Sequence, residues 1–191
     1  MTLSQSGWMR LGHRLIGALL MVTVYGCASV KVTTDYDPSA SFSAYKSYAW
    51  LPKPIEKTGD IRVDNPLLHT RVRDAVEAEL ALKGYEKLAG DKPDFYIGYH
   101  LSLTTQLDVT RMNDYYGYGV GRRWGPAGVP QTVVTEYEVG ALVLDVVDAK
   151  RETLVWRGSG QRRVKESPTP EETTQRVREA VAEILKRFPP E

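Results

Sequence analysis

The chain has 191 residues, of which 42% are hydrophobic and 26% charged, ordinary values for a globular domain. Its formal net charge of +1 gives no basic footprint and so argues against a dedicated nucleic-acid binder. A single cysteine, Cys27, rules out an intramolecular disulfide in any compartment, and no internal repeat is visible.

The first element predicted along the chain is a leader. Arg10-Leu11-Gly12-His13-Arg14 precedes Leu15 to Val24, ten residues without a charge, and no Asp or Glu occurs before Cys27. A basic segment followed by a short apolar run is the layout of an export signal. A membrane-spanning helix needs about 20 apolar residues, so the run is short for a permanent span. It ends in Val24-Tyr25-Gly26-Cys27. This resembles the lipobox of bacterial lipoproteins, in which an aliphatic, a variable and a small residue precede a cysteine. The resemblance implies cleavage between Gly26 and Cys27 and a diacylglycerol thioether on Cys27, with palmitate-like acyl chains. At about 0.8 kcal/mol per buried methylene, two or three such chains anchor a protein stably. Ala28, where Asp tends to retain Gram-negative lipoproteins at the inner membrane, resembles an outer-membrane address facing the periplasm. The expected division is residues 1–26 as signal peptide, 27–29 as lipidated cysteine and short tether, and 30–191 as one α+β domain.

Within that domain, Val30, Val32 and Thr34 alternate with Lys31 and Thr33, a short strand ended by the turn Tyr36-Asp37-Pro38-Ser39. A second strand fits Lys46 to Leu51, with Tyr48 and Trp50 on one face. Asn65-Pro66 starts a helix, because Asn accepts from an orphan amide and Pro has no amide to leave unpaired. Leu68, Val72, Ala75, Val76, Leu80 and Leu82 form its apolar stripe, and Gly84 suits a left-handed exit. After Pro93, the residues Phe95, Ile97, Tyr99, Leu101, Leu103 and Leu107 alternate with polar neighbours as a strand wet on one face. Val133 to Val147 form a long strand with Gly140 as the expected bulge, and Thr153 to Val164 return as its hairpin partner. Thr169-Pro170-Glu171-Glu172 is a capping box. It opens a helix buried through Val177, Ala180, Val181, Ile184, Leu185 and Phe188. The order β-β-α-β-β-β-α, with strands joined mostly by hairpins, gives a two-layer α+β sandwich: a mainly antiparallel sheet carrying two amphipathic helices.

Three segments then look familiar together: Asp35 to Pro52 (DYDPSASFSAYKSYAWLP), Lys83 to His100 (KGYEKLAGDKPDFYIGYH) and Val139 to Gly160 (VGALVLDVVDAKRETLVWRGSG). With the terminal Phe188-Pro189-Pro190 they resemble the bacterial lipoprotein family catalogued as domain of unknown function 4136. The resemblance implies an exported, lipid-anchored α+β domain and brings no catalytic residues.

Candidate chemistry is sparse. His69 sits near a helix start and His100 on the polar face of a strand, with no Cys or His at metal-ligand spacing, so neither a metal nor a cofactor is expected. Ser159, in Gly158-Ser159-Gly160, lacks the nucleophile-elbow pattern. The segment without a folding rationale is the Gly/Tyr-rich loop of residues 111–130. Its Tyr115, Tyr116, Tyr118, Arg122, Arg123 and Trp124 are the candidate binding residues, for a glycan, an envelope protein or the membrane interface. The expected function is a lipid-anchored periplasmic domain, held to the membrane through Cys27, with a non-enzymatic binding or envelope-structural role and no nucleic-acid partner. Two alternatives remain open. One is an envelope enzyme acting on glycan or lipid, with Asp94, Asp108 or Asp114 brought together by the fold. The other is a carrier that holds a small apolar ligand between sheet and helices.

Overall fold

The computed structural model describes residues 30–52, 57–89, 92–112 and 131–190; side-chain burial is described outside 109–112 and 131–133. Six strands form one sheet: β1 (Lys31–Tyr36), β2 (Ser47–Trp50), β3 (Glu86–Lys87), β4 (Phe95–Met112), β5 (Gln131–Asp148) and β6 (Thr153–Arg163). Their spatial order is β1-β6-β5-β4-β2-β3. Helices α1 (Pro66–Leu82) and α2 (Pro170–Leu185) pack against each other on one face, and among the described residues no helix covers the other face.

The α+β architecture follows the sequence expectation, with two differences. The two-residue strand β3 is short enough to leave no periodic signal. The sheet is mixed, because the α1 crossover returns the chain parallel to β2: Tyr48, Ala49 and Trp50 pair with Phe95, Tyr96 and Ile97. β3 also pairs parallel to β2, whereas β1 with β6, β6 with β5 and β5 with β4 are antiparallel.

Local signals act where the sequence places them. Ser39 donates from its amide and hydroxyl to Asp37 Oδ1 at 2.8 and 2.7 Å, closing the turn after β1. Asn65 Oδ1 accepts from the Leu67 amide at 2.9 Å at the start of α1. Gly84 takes φ +83° at its exit. At α2 the capping box is complete: Thr169 Oγ1 accepts from the Glu172 amide, and Glu172 Oε2 accepts from the Thr169 amide.

Gly140 is not a bulge. It pairs regularly with Leu103 and Arg162, and the irregularity lies further along β5, between Val146 and Val147. Val147 faces Leu154 and Val146 faces Trp156, so Val155 is the extra residue on β6. This lets two consecutive side chains, Val155 and Trp156, both be buried at 1% exposure, which strict alternation forbids. Two residues expected in apolar stripes are exposed, Leu82 at 82% and Leu107 at 62%: Leu82 is the last residue of α1, and Leu107 lies on β4 beyond the end of the core.

The core is asymmetric along the strands. At the end where the β5–β6 turn lies, Phe95, Phe188 and Trp156 are fully buried, with ring centroids 5.7 Å apart for Phe95–Phe188 and 5.1 Å for Trp156–Phe188. Tyr48 stacks on Phe95 at 5.8 Å. Aromatic rings of this size fill the layer and add edge contacts beyond their area. Towards the other end the facing rows thin to Tyr99–Leu144–Gly158, Leu101–Leu142–Gly160 and Leu103–Gly140–Arg162. Beyond β6, residues 105–112 of β4 pair, among the described residues, only with residues 131–138 of β5, a two-stranded ribbon of roughly 27 Å at the usual rise per residue.

Candidate functional site

Two openings flank the sheet. The first is an apolar cavity of about 220 Å³ between the N-terminal halves of the two helices and the thin end of the sheet. Leu68 and Val72 from α1, Val177 and Ala180 from α2, and Leu101 and Leu142 from the sheet line it. Its floor includes Gly140. A Cβ there would meet only Val164 Cγ2, at 3.4 Å, so this glycine leaves space that no neighbour fills. Gly158 and Gly160 are glycines for the opposite reason. A Cβ on Gly158 would come within 2.4 Å of Trp156 and 2.5 Å of Ile184, and one on Gly160 within 2.8 Å of Ile184, so α2 rests directly on the β6 backbone. The rim of the cavity is cationic: Arg62, Arg162, Arg163, Lys165 and Arg176 line it, and no carboxylate does.

The second opening is a trough on the open sheet face, bounded by Tyr96, His100, Asp145, Val147, Leu154 and Arg157, with a volume of about 910 Å³. Asp145 is 6% exposed and is the buried charge of the sheet. Arg157 grips it through two bonds, Nε to Oδ1 at 2.6 Å and Nη2 to Oδ2 at 2.8 Å. This carboxylate raises the Arg157 pKa further above its ordinary value. His100 Nε2 stands 3.5 Å from Asp145 Oδ2. A forked Arg–carboxylate pair of this kind is a rigid, fully used unit rather than a free acid. Sequence reasoning missed the pair for a specific reason. Counting back from the β5–β6 turn without the bulge sets Asp145 opposite Trp156, and only the extra residue Val155 moves Arg157 across from it.

The candidate residues from the sequence fall in separate places. His69 Nδ1 lies 3.0 Å from the Tyr99 hydroxyl, a hydrogen-bonded histidine at the edge of the helix layer. Ser159 sits mid-strand opposite Thr33, away from any turn. Asp94 Oδ2 accepts from the amides of Lys46 and Ser47, both at 2.9 Å, and from the Ser47 hydroxyl at 3.0 Å. Those amides, Lys46 first, hold its carboxyl below the usual carboxylate range. Asp108 forms an exposed ion pair with Arg163 at 3.2 Å on the ribbon. Asp94 precedes β4 and Asp108 lies near its far end, which at about 3.3 Å per residue sets them more than roughly 40 Å apart. The fold does not bring these two acids together. Asp114, Gly26, Cys27, Tyr115, Tyr116, Tyr118, Arg122, Arg123 and Trp124 lie outside the described residues. Among the described residues, no group of three or more His, Cys, Asp and Glu side chains has the arrangement of a metal site. None of the described helices is long and apolar enough to cross a membrane.

Among solved structures the fold is similar to a PDZ domain protein from Parabacteroides distasonis ATCC 8503. That match has 14% identity and a TM-score of 0.54, over 85% of this chain and 36% of that one. The chain thus spans about a third of that protein's length. A PelC dodecamer from Paraburkholderia phytofirmans matches with 11% identity and a TM-score of 0.47, over 82% of this chain and 96% of that one. No curated protein matches the chain. A family model matches residues 32–190, from the first strand to the residues after α2, and on that match the chain belongs to the family described as Domain of unknown function (DUF4136).

Proposed function

We propose that the chain is a bacterial lipoprotein, anchored through acyl groups on Cys27 to the periplasmic face of the outer membrane, whose domain binds or buttresses rather than catalyses. The observation that carries this reading is the run from Arg10 to Cys27, a basic segment, an uncharged stretch and Val-Tyr-Gly-Cys, joined almost directly to a folded domain. β1 begins at Lys31, so at most about 3.6 Å per residue separates the anchor from the sheet. A tether this short holds the domain against the bilayer. The wide separation of Asp94 and Asp108 and the full use of Asp145 by Arg157 favour a non-enzymatic role among the described residues. The open sheet face and the Gly/Tyr-rich loop then offer contact area for an envelope protein or glycan.

Fractionation with metabolic palmitate labelling tests the anchor. The wild-type chain is expected in the membrane fraction with label, and Cys27→Ala in the soluble fraction without it. Soluble wild type, or a variant that still sediments with label, would remove the anchor from the account.

A second reading has its own support. The apolar cavity beside Gly140 is the kind of space a small-ligand carrier needs, set between sheet and helices and largely apolar in lining.

A further inference from the structure

We infer that the cavity at the thin end of the sheet is a binding site for a medium-chain fatty acid, its alkyl chain between the layers and its carboxylate at Arg176. The inference rests on the carrier reading above and gives that site its ligand.

The size fits a chain rather than a ring system or a polar metabolite. A dry apolar cavity of about 150 Å³ accepts benzene, so about 220 Å³ with an open side takes roughly eight to ten carbons. The walls are mostly aliphatic: Leu68, Leu101, Leu103, Leu142, Val164 and Val177 present methyl groups, with Ser102, Gln161 and Thr173 the uncharged polar side chains of the lining. Gly140 creates part of the volume, since its missing side chain is demanded neither by its backbone nor by a neighbour closer than Val164.

The rim selects the head group. Four of its five cations are already matched. Arg62 pairs with Asp60 and Glu138, Arg162 with Glu179, Arg163 with Asp108 and Lys165 with Glu172. Arg176 differs. It is partly buried and donates to the backbone carbonyl of Arg163, and among the described residues no carboxylate lies within ion-pairing distance of it. Burial, and then the charge of Arg162, lower its pKa from the ordinary value, while Glu179 and Glu172 oppose this from beyond ion-pairing distance. Both helices also enter the layer at this end, adding the positive ends of their macrodipoles. A carboxylate at the mouth would satisfy Arg176 with charge-assisted bonds while its chain enters the apolar space.

The test uses the full chain in phosphatidylcholine nanodiscs, titrated with carboxyl-labelled fatty acids of six to sixteen carbons, with empty discs as the blank. Expected is a saturable one-to-one component that empty discs lack. Its affinity should rise about fourfold per methylene to roughly ten carbons and then level off, because further methylenes leave the cavity. Arg176→Gln should weaken decanoate about tenfold and leave decanol unchanged. Gly140→Ile should abolish binding of both without loss of thermal stability, and Ala180→Leu on the helix side provides an independent way to fill the space. Absence of the saturable component, or binding that survives both filling variants, would overturn the site and the carrier reading together. Decanol and decanoate binding equally, with no effect of Arg176→Gln, would overturn the fatty-acid assignment and leave an apolar carrier. The anchor at Cys27 is tested separately by fractionation, so its failure and the failure of this site are distinguishable.

Discussion

Asp94 shows how one carboxylate can organise a parallel strand. Three donors from Lys46 and Ser47 converge on its Oδ2 and fix the entry of β2 beside β4. Because the folded-state pKa is depressed below the ordinary 3.8, the stability this group contributes is present above that value. It disappears as the pH falls through the lower, folded value. Urea unfolding of wild type and Asp94→Asn should therefore differ by a constant amount above about pH 5, with the gap closing below about pH 4. A gap that stays unchanged under acid would mean that the neutral side chain serves equally well. Tyr45 illustrates the opposite direction: burial, with its hydrogen bond to Asp148 at 2.7 Å, pushes its hydroxyl up to about 12.

At the scale of elements, the seating of α2 on β6 decides how tightly the layers close. Gly158 and Gly160 let Ile184 approach the strand backbone, and Trp156 folds its ring over the same spot. Gly158→Ala puts a methyl group where two fully buried side chains already stand, and neither can move into free space. The expected cost is about 3 kcal/mol, the upper part of the range for overpacking. It should appear as a lower urea midpoint with an unchanged slope. Gly140→Ala should behave oppositely, holding or gaining stability by up to about 1 kcal/mol, since Gly140 has room and its unfolded chain is costly to order. A similar loss at both glycines would contradict the difference in packing between the two rows.

Across the whole molecule, order is concentrated at one end of the strands. The aromatic rows around Phe95 and Trp156 are covered by helices, whereas the ribbon beyond Thr105 has one partner strand and exposes Leu107 and Val134 at 62% and 55%. An isolated two-stranded hairpin is marginal in water. Amide hydrogen exchange of the chain should accordingly be slowest at Ile97 and Val146 and accelerate by at least about a hundredfold by Leu107 and Glu136, reporting local opening rather than global unfolding. Uniform protection along β4 would show that something covers the ribbon.

The sequence by itself determined the elements whose signals are local. Caps at Asn65 and Thr169, the turn at Asp37, the exit at Gly84 and the alternation from Phe95 to Leu103 each depend on residues a few positions apart, and each recurs in the fold. It also carried the family resemblance, and the basic and apolar run before Cys27 on which the proposed anchor rests. Tertiary structure alone decided the parallel docking of β2, the bulge at Val155 that brings Arg157 to Asp145, and the space beside Gly140 with Arg176 at its mouth. Periodicity names the face on which a side chain lies, but strand order, register and unfilled volume depend on residues far apart in the chain. A missing side chain therefore reads as a bulge in one dimension and as a cavity in three.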